Sequence, residues 1–151
     1  MKKNVLESLK EQIRNEPFAN HMGIRLRDIA PGYAAMEARF SEKMKNFNGL
    51  IHGGAIFALM DEAFGAASNS HGTIALALNI NVTYVESPSF NAPLIAEAKE
   101  ESQSKYTATY RIEVLQKGEN GDRKIAFCQA LVYRKDRSLS FLEGMKPNEL
   151  L

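Results

Sequence analysis

A short segment of the chain brings together residue types that could bind and activate an electrophile. His52, Gly53 and Gly54 directly precede a stretch of helical periodicity, and Asp61 follows within that stretch. The first N–H groups of a helix lack an acceptor within the helix and lie at the positive end of its dipole. Because glycines leave such donors uncovered, they suit a polarised carbonyl or a developing oxyanion. A flexible helix start or close backbone packing is the alternative interpretation of the two glycines.

Asp61 would stand beside aromatic residues on this helix. At about 100° per residue, one strip of the helix carries Phe57, Asp61, Phe64 and Ser68. An ionised carboxylate beside buried aromatics needs hydrogen-bonding partners or it takes up a proton. Glu62 falls on nearly the opposite side, and we interpret it as a solvated charge. The alternative for Asp61 is an exposed helix residue or one paired with a lysine.

The other candidate side chains have ordinary interpretations as well. His52 could cap a loop or bond a carbonyl, and Asn46 could be a simple turn residue. With three histidines and no second one at ligand spacing, we expect no metal site. Cys128 is the only cysteine, so it can form no internal disulfide, and we interpret it as a small apolar residue in a strand.

Taken together, these residues resemble a known signature. Residues 46–54 read NFNGLIHGG, and Asp61 follows on the helix. This resembles the N-x-x-G-x-x-H-G-G…D pattern of hotdog-fold thioesterases, closest to the PaaI-like acyl-CoA thioesterases of phenylacetic acid degradation. The resemblance covers about residues 18–135. It implies an α+β hotdog fold, with an antiparallel sheet wrapped around a long central helix. It also implies hydrolysis of an acyl-CoA with no cofactor beyond the coenzyme A of the substrate.

The resemblance further assigns roles by position. It implies that the Gly53 N–H polarises the thioester carbonyl and that Gly54 permits close approach. His52 and Asn46 would position the thioester and shape the loop. Asp61, contributed by the partner subunit of a dimer or a dimer of dimers, would act as general base on water or as nucleophile.

The acyl group is addressed less directly. Phe57 and Phe64 lie near the predicted site and would contact an apolar or aromatic acyl chain. Some relatives carry a serine or threonine on the following strand that orients the water. Here the matching region has Ala75 and Ala77, with Asn79 as the nearest polar residue.

Two other functions remain open from the sequence. One is a hotdog-fold hydratase or dehydratase acting on acyl thioesters, although the nine-residue interval from His52 to Asp61 favours hydrolysis. The other is a non-catalytic acyl-CoA-binding module, which Ala77 would permit.

Periodicity predicts the elements that must position these residues. Residues 1–17 form an N-terminal helical segment with an amphipathic period over residues 4–16, and Pro17 ends or redirects it. Residues 22–40 form a hairpin, and a polar loop leads to a central helix over residues 54–70. That helix is apolar most of the way round, which is typical of a buried helix.

Strands are predicted for the rest of the chain. Residues 73–84 alternate strictly, with Ile74, Leu76 and Leu78 pointing one way, and strands over 94–101, 106–115 and 124–133 follow in meander style. Short links require antiparallel pairing, so we expect an antiparallel sheet with one face covered by the helix. Its unpaired edges favour joining two copies into a homo-oligomer.

Composition limits the remaining possibilities. The 151 residues suggest a single domain over 1–151, with residues 136–151 as a loosely held polar tail. A net charge of +1 offers no footprint for nucleic acid or an anionic membrane. The opening residues lack the apolar segment of a secretory signal, so we expect a cytoplasmic protein without a membrane partner.

Overall fold

The fold is a curved antiparallel sheet around one long helix. The computed structural model describes residues 4–144. Within that range the helices are α1 (Val5–Arg14), α2 (Pro17–Met22), α3 (Gly53–Asn69) and α4 (Ser140–Glu143). The strands are β1 (Arg25–Ala30), β2 (Tyr33–Ala38), β3 (Thr73–Tyr84), β4 (Leu94–Gln103), β5 (Thr107–Gln116) and β6 (Arg123–Ser138). The predicted α+β class is confirmed.

The order of the strands differs from a simple meander. Across the sheet the order is β1-β2-β4-β5-β6-β3, with every pairing antiparallel. β4, β5 and β6 form the predicted meander. β3, however, pairs with β6 and not with β4, so the prediction was wrong for this strand. The nine-residue chain segment between β3 and β4 crosses the sheet, which allows β4 to pair with β2.

The central helix α3 is buried as predicted. It begins at Gly53 and ends at Asn69, one residue earlier at each end than its apolar period predicts. Its apolar residues pack against the inner face of the sheet, chiefly on β2 and β4. The core between helix and sheet is made of fully buried side chains that include Met36, Leu59, Leu94, Ile112 and Ile125. This rigid layer fixes the direction in which both ends of α3 point.

β3 does not bury the side chains that its alternation would place inside. Ile74 is buried, but Leu76 and Leu78 are 45% and 59% exposed. β3 is the last strand of the sheet, and along residues 4–144 nothing pairs with its outer edge. The register also shifts between Ala77 and Asn79, where the strand bulges. An apolar edge is therefore left uncovered by residues 4–144.

The ends of the chain agree with the predictions only in part. Pro17 redirects the chain, as one of the two predicted alternatives has it, and starts the short helix α2, because proline fits the first position of a helix. Gly23, with φ of 71°, closes α2, so the hairpin begins at Arg25 rather than at Met22. The predicted loose tail was wrong for residues 136–144, which complete β6 and form α4; residues 145–151 lie outside the described range.

No helix within residues 4–144 has both the length and the apolar character needed to cross a bilayer.

Candidate active site

The start of α3 presents one backbone donor that the protein itself does not use. His52 is the N-cap residue, and its Nδ1 accepts a hydrogen bond from the Gly54 N–H at 2.8 Å. The Ala55 N–H donates to the His52 carbonyl at 2.9 Å. The Gly53 N–H has no acceptor among residues 4–144. The first turn of the helix is therefore satisfied except at Gly53, whose amide can donate to a ligand.

The cap also defines the state of His52. Since Nδ1 accepts a hydrogen bond, the neutral ring carries its proton on Nε2, and the exposed side chain can offer that proton as a second donor. Gly54 is required for this arrangement, because a Cβ atom at Gly54 would lie 2.9 Å from His52 Nδ1. The role predicted for Gly54 was close approach to a substrate. The structure adds a role within the chain, which is access of the imidazole to the amide.

Asn46 shapes the loop before the helix and keeps its amide group available. Its Oδ1 accepts hydrogen bonds from the N–H groups of Asn48 and Leu50, at 2.9 and 3.1 Å. Gly49 completes the turn with φ of 79°, a conformation that favours glycine. The Asn46 Nδ2 has no acceptor in the described part of the chain. Asn46 is thus a turn residue, as the simple interpretation suggests, and also a potential donor.

These donors meet at one cavity. The cavity has a volume of about 280 Å³, and we call it the Gly53 cavity. Its lining includes Asn46, Leu50, Ile51, Gly53, Ile56 and Tyr84. The structure therefore brings Asn46 and Gly53 together at a single recess, with His52 next to it in the chain.

Asp61 lies elsewhere on the same helix. It is exposed in the isolated chain and borders a second cavity of about 510 Å³, the Asp61 cavity. The apolar lining of this cavity includes Leu9, Ile13, Phe64, Ala75, Ala77 and Phe141. Partial burial raises the pKa of Asp61 above its ordinary value of 3.8. Because Ala75 and Ala77 face this cavity, these two positions of β3 supply no hydroxyl beside Asp61.

Gly53 and Asp61 lie in different cavities of one chain. Gly53 and Asp61 are eight residues apart on α3, which at about 1.5 Å per residue separates them by about 12 Å along the helix. One thioester group cannot contact both. Phe64 lines the Asp61 cavity and packs edge-on against Tyr110, whereas half-buried Phe57 lines neither of these two cavities.

The interpretation of Glu62 as a solvated charge was wrong. Glu62 is half-buried and lines the Asp61 cavity together with Glu16. Burial raises the pKa of Glu62 to about 8. The negative charge of Glu16 and a hydrogen bond with Glu16 add to this shift. Helical periodicity could not show this, because the segment that covers Glu62 is the connection between α1 and α2. No local signal in the sequence links positions 16 and 62.

Tyr84 is a second residue that sequence reasoning did not single out. Its hydroxyl donates to the Gly53 carbonyl at 3.1 Å, across a separation of 31 positions in the chain. The alternation of residues 73–84 predicts only that Tyr84 lies in a strand. By contrast, the interpretation of Cys128 is confirmed: it is buried in β6, and burial followed by the nearby Asp61 raises the pKa of its thiol to about 11. Cys128 is therefore a neutral thiol at physiological pH.

Comparison with known proteins identifies the family to which this chain is similar. The family model of the thioesterase superfamily matches residues 48–121, which include the Gly53 amide and Asp61. A putative esterase of Archaeoglobus fulgidus is 35% identical over 134 residues, which is 88% of this chain and 85% of the relative. The acyl-coenzyme A thioesterase PaaI of Escherichia coli is 31% identical over 101 residues, which is 67% of this chain and 72% of the relative.

A solved structure extends the comparison to the fold. The structure of the E. coli PaaI protein from the phenylacetic acid degradation operon superposes on this chain with a TM-score of 0.83, at 24% identity. The match covers 91% of this chain and 97% of the other. The predicted arrangement of an antiparallel sheet around a central helix is thus the arrangement of a solved protein.

Proposed function

This chain belongs to the thioesterase superfamily, as a PaaI-like member with the hotdog fold, and on that premise we propose that it hydrolyses acyl-CoA thioesters to the free acid and coenzyme A. In this proposal the Gly53 N–H polarises the thioester carbonyl. Asp61 of the partner subunit acts as general base on water or as nucleophile. The acyl-CoA itself is the only small molecule that the reaction requires besides water.

One observation supports the proposal most directly. Of the N–H groups at the start of α3, those of Gly54 and Ala55 have acceptors, and that of Gly53 has none within residues 4–144. A fixed donor that is not used by the protein is what a developing oxyanion needs, and one such donor is worth roughly 10²–10³ in rate. The glycine leaves the approach to this amide uncovered.

Neighbouring donors support binding of the same carbonyl or of the attacking water. Asn46, whose Nδ2 has no acceptor within residues 4–144, lines the Gly53 cavity, and the exposed His52 carries its proton on Nε2. Both groups are held from behind, Asn46 by its turn and His52 by the Gly54 amide. Their orientation is therefore set before substrate binds, which lowers the cost of ordering them later.

The reaction needs a base that the same chain does not place there. The separation of about 12 Å between Gly53 and Asp61 along α3 points to a site shared by two copies. The uncovered edge of β3, with exposed Leu76 and Leu78, supports pairing of two sheets at this edge. Such pairing would set two α3 helices side by side and bring Asp61 of the partner subunit toward the Gly53 cavity.

The chemical steps balance without any further group. Asp61 as general base takes a proton from water, whose oxygen attacks the carbonyl carbon. The oxyanion that forms is held by the Gly53 N–H. The carbon–sulfur bond then breaks, and the coenzyme A thiolate takes up the proton. A positioned base contributes about 10²–10⁴ in rate, which is enough for an activated ester of this kind when combined with the oxyanion donor.

The acyl group is best accommodated by the Asp61 cavity. Its walls include the aromatic rings of Phe64 and Phe141 and the aliphatic side chains of Leu9 and Ile13. A volume of about 510 Å³ is sufficient for a medium-length or aryl acyl group. Phe57 lines neither cavity of the single chain, so its predicted contact with the substrate would need a pocket that the second subunit completes.

Release of thiol from a panel of short, medium, long and aryl acyl-CoAs tests the function. We expect turnover with at least one class. Asp61→Asn should lower turnover about 10²-fold or more while fold and assembly stay intact. An unchanged rate in Asp61→Asn would remove Asp61 from the mechanism, and no turnover of any acyl-CoA by the unaltered protein would contradict the proposed function.

A further inference from the structure

The side chain of Tyr84 reaches from the end of β3 to the first residue of α3. Its hydroxyl donates to the Gly53 carbonyl at 3.1 Å. A Cβ atom built on Gly53 would lie 3.5 Å from Tyr84 Cζ and 3.6 Å from its hydroxyl oxygen, which is ordinary contact distance. The phenol ring therefore rests against the open side of the glycine. Both residues line the Gly53 cavity.

Gly53 needs an external constraint more than other residues of the helix do. Glycine loses the most conformational freedom on folding, and terminal helical residues fray. The Gly53 N–H has no partner within residues 4–144 that would hold it, and the cap of His52 acts on Gly54 instead. An oxyanion donor is effective only when its direction is fixed before the reaction. The carbonyl of the same peptide group, that of His52, is held by the Ala55 N–H, so the freedom that remains lies at the Gly53 Cα, on the side where Tyr84 bonds the Gly53 carbonyl.

We propose that Tyr84 is a positioning residue, which holds Gly53 by its hydroxyl and its ring so that the Gly53 amide stays directed into the cavity. This inference rests on the proposed function, because it assigns the Gly53 amide a part in the reaction. Tyr84 acts through Gly53 and is not itself required to touch the reacting atoms. It couples the oxyanion donor to the strand that forms the uncovered edge of the sheet.

The anchor of Tyr84 is firm enough for this role. Tyr84 is paired with Ala126 of β6, and the next residue, Val85, donates its N–H to the Ile125 carbonyl at 2.8 Å. Burial, with a smaller contribution from Cys128, raises the pKa of the Tyr84 phenol above its ordinary value of 10.0. The hydroxyl therefore keeps its proton, and hence its donor role, throughout the physiological range.

Tyr84→Phe tests the inference, since it keeps the ring and removes only the hydroxyl. We expect kcat for thiol release to fall about three- to tenfold, the size expected for one ordinary hydrogen bond, while KM changes less than about twofold. The order parameter of the Gly53 amide, measured by NMR relaxation, should be lower in Tyr84→Phe than in the unaltered protein. Tyr106→Phe is the matched control, because Tyr106 is 52% exposed where Tyr84 is 50% exposed.

The possible outcomes separate this inference from the proposed function. An unchanged kcat together with an unchanged order parameter of the Gly53 amide in Tyr84→Phe would overturn the positioning role. A rise in KM with constant kcat would also overturn it, because it would make Tyr84 a substrate-binding residue. If the unaltered protein released no thiol, the proposed function would fail, and the order parameter of the Gly53 amide would still decide whether Tyr84 holds this residue. A similar loss in Tyr106→Phe would show an unspecific effect and count against the inference.

Discussion

The imidazole of His52 accepts a hydrogen bond from the Gly54 amide at 2.8 Å, and this contact leaves the Gly53 amide as the unused donor of the helix start. The Nδ1 atom of His52 therefore caps the helix, and its Nε2–H can donate a hydrogen bond to a ligand. The contact also explains why two consecutive glycines occur. Gly54 gives the imidazole access to the amide, and Gly53 leaves its own amide open to the cavity.

The two nitrogens of His52 can be separated by substitution. His52→Asn retains a side-chain cap, whereas His52→Ala removes it, so only the alanine variant should lose about 0.5–2 kcal/mol of stability in urea unfolding. Both variants lose the Nε2 donor, and we expect both to lose activity in thiol release. Full activity in His52→Asn would show that His52 is a cap alone.

The amide of Asn46 can be tested in the same way. Asn46→Asp keeps an oxygen acceptor for the N–H groups of Asn48 and Leu50 but replaces the Nδ2 donor. We expect kcat/KM to fall by about 10²-fold, with the thermal midpoint little changed, because a donor to the carbonyl or water is lost. Asn48→Asp is the matched control on the same turn. Equal activity of Asn46→Asp and the unaltered protein would restrict Asn46 to shaping the loop.

Protonation of Asp61 should make the activity fall at acidic pH, as an acidic limb of the pH–activity profile. Burial raises the pKa of Asp61 above 3.8, and a base must be ionised to accept a proton. Activity should therefore rise with pH through the raised pKa and level off above it. A pH profile of kcat/KM checks this, and Asp61→Asn should abolish the limb in its residual activity. A flat profile down to the ordinary pKa of an aspartate would contradict the role of Asp61 as base.

Glu62 should make the stability of the fold depend on pH. Its pKa rises from 4.5 in the unfolded chain to about 8 in the folded protein, so between these values the folded state holds a proton that the unfolded state releases. The contribution of Glu62 to the free energy of unfolding is therefore largest below pH 4.5, and it is lost as pH rises toward about 8. Urea unfolding across this range should show the fall, and Glu62→Gln should reduce it. The exposed residue Glu101 provides the control Glu101→Gln, which should leave the slope unchanged.

A site shared between subunits can be reconstituted from two variants of low activity. Asp61→Asn and Asn46→Asp are each expected to keep about 1% of the activity or less as homodimers. In a mixed dimer, one of the two sites would combine the intact Asp61 of one copy with the intact Asn46 of the other. Random mixing of equal amounts should restore about a quarter of the unaltered activity. Subunit exchange is confirmed first. If activity does not recover after that exchange, the shared site is contradicted.

Much of the fold follows from local patterns in the sequence. The apolar period of α3 correctly predicts a buried helix, and the alternation of residues 73–84 correctly predicts a strand. The histidine, the glycines and the downstream aspartate resemble the thioesterase pattern that the comparisons then confirm as the family. These features are readable because each depends on the spacing of residues within one element or one short segment.

Other features were decided only when distant segments came together. The pairing of β3 with β6, the burial of Glu62 beside Glu16 and the contact of Tyr84 with Gly53 all join residues far apart in the chain. Periodicity describes the faces of one element, but it carries no record of which other element covers each face. The sequence alone therefore determined the elements and the residue types of the site. The tertiary structure decided which strand forms the uncovered edge, which carboxyl retains its proton, and which side chain holds the glycine amide.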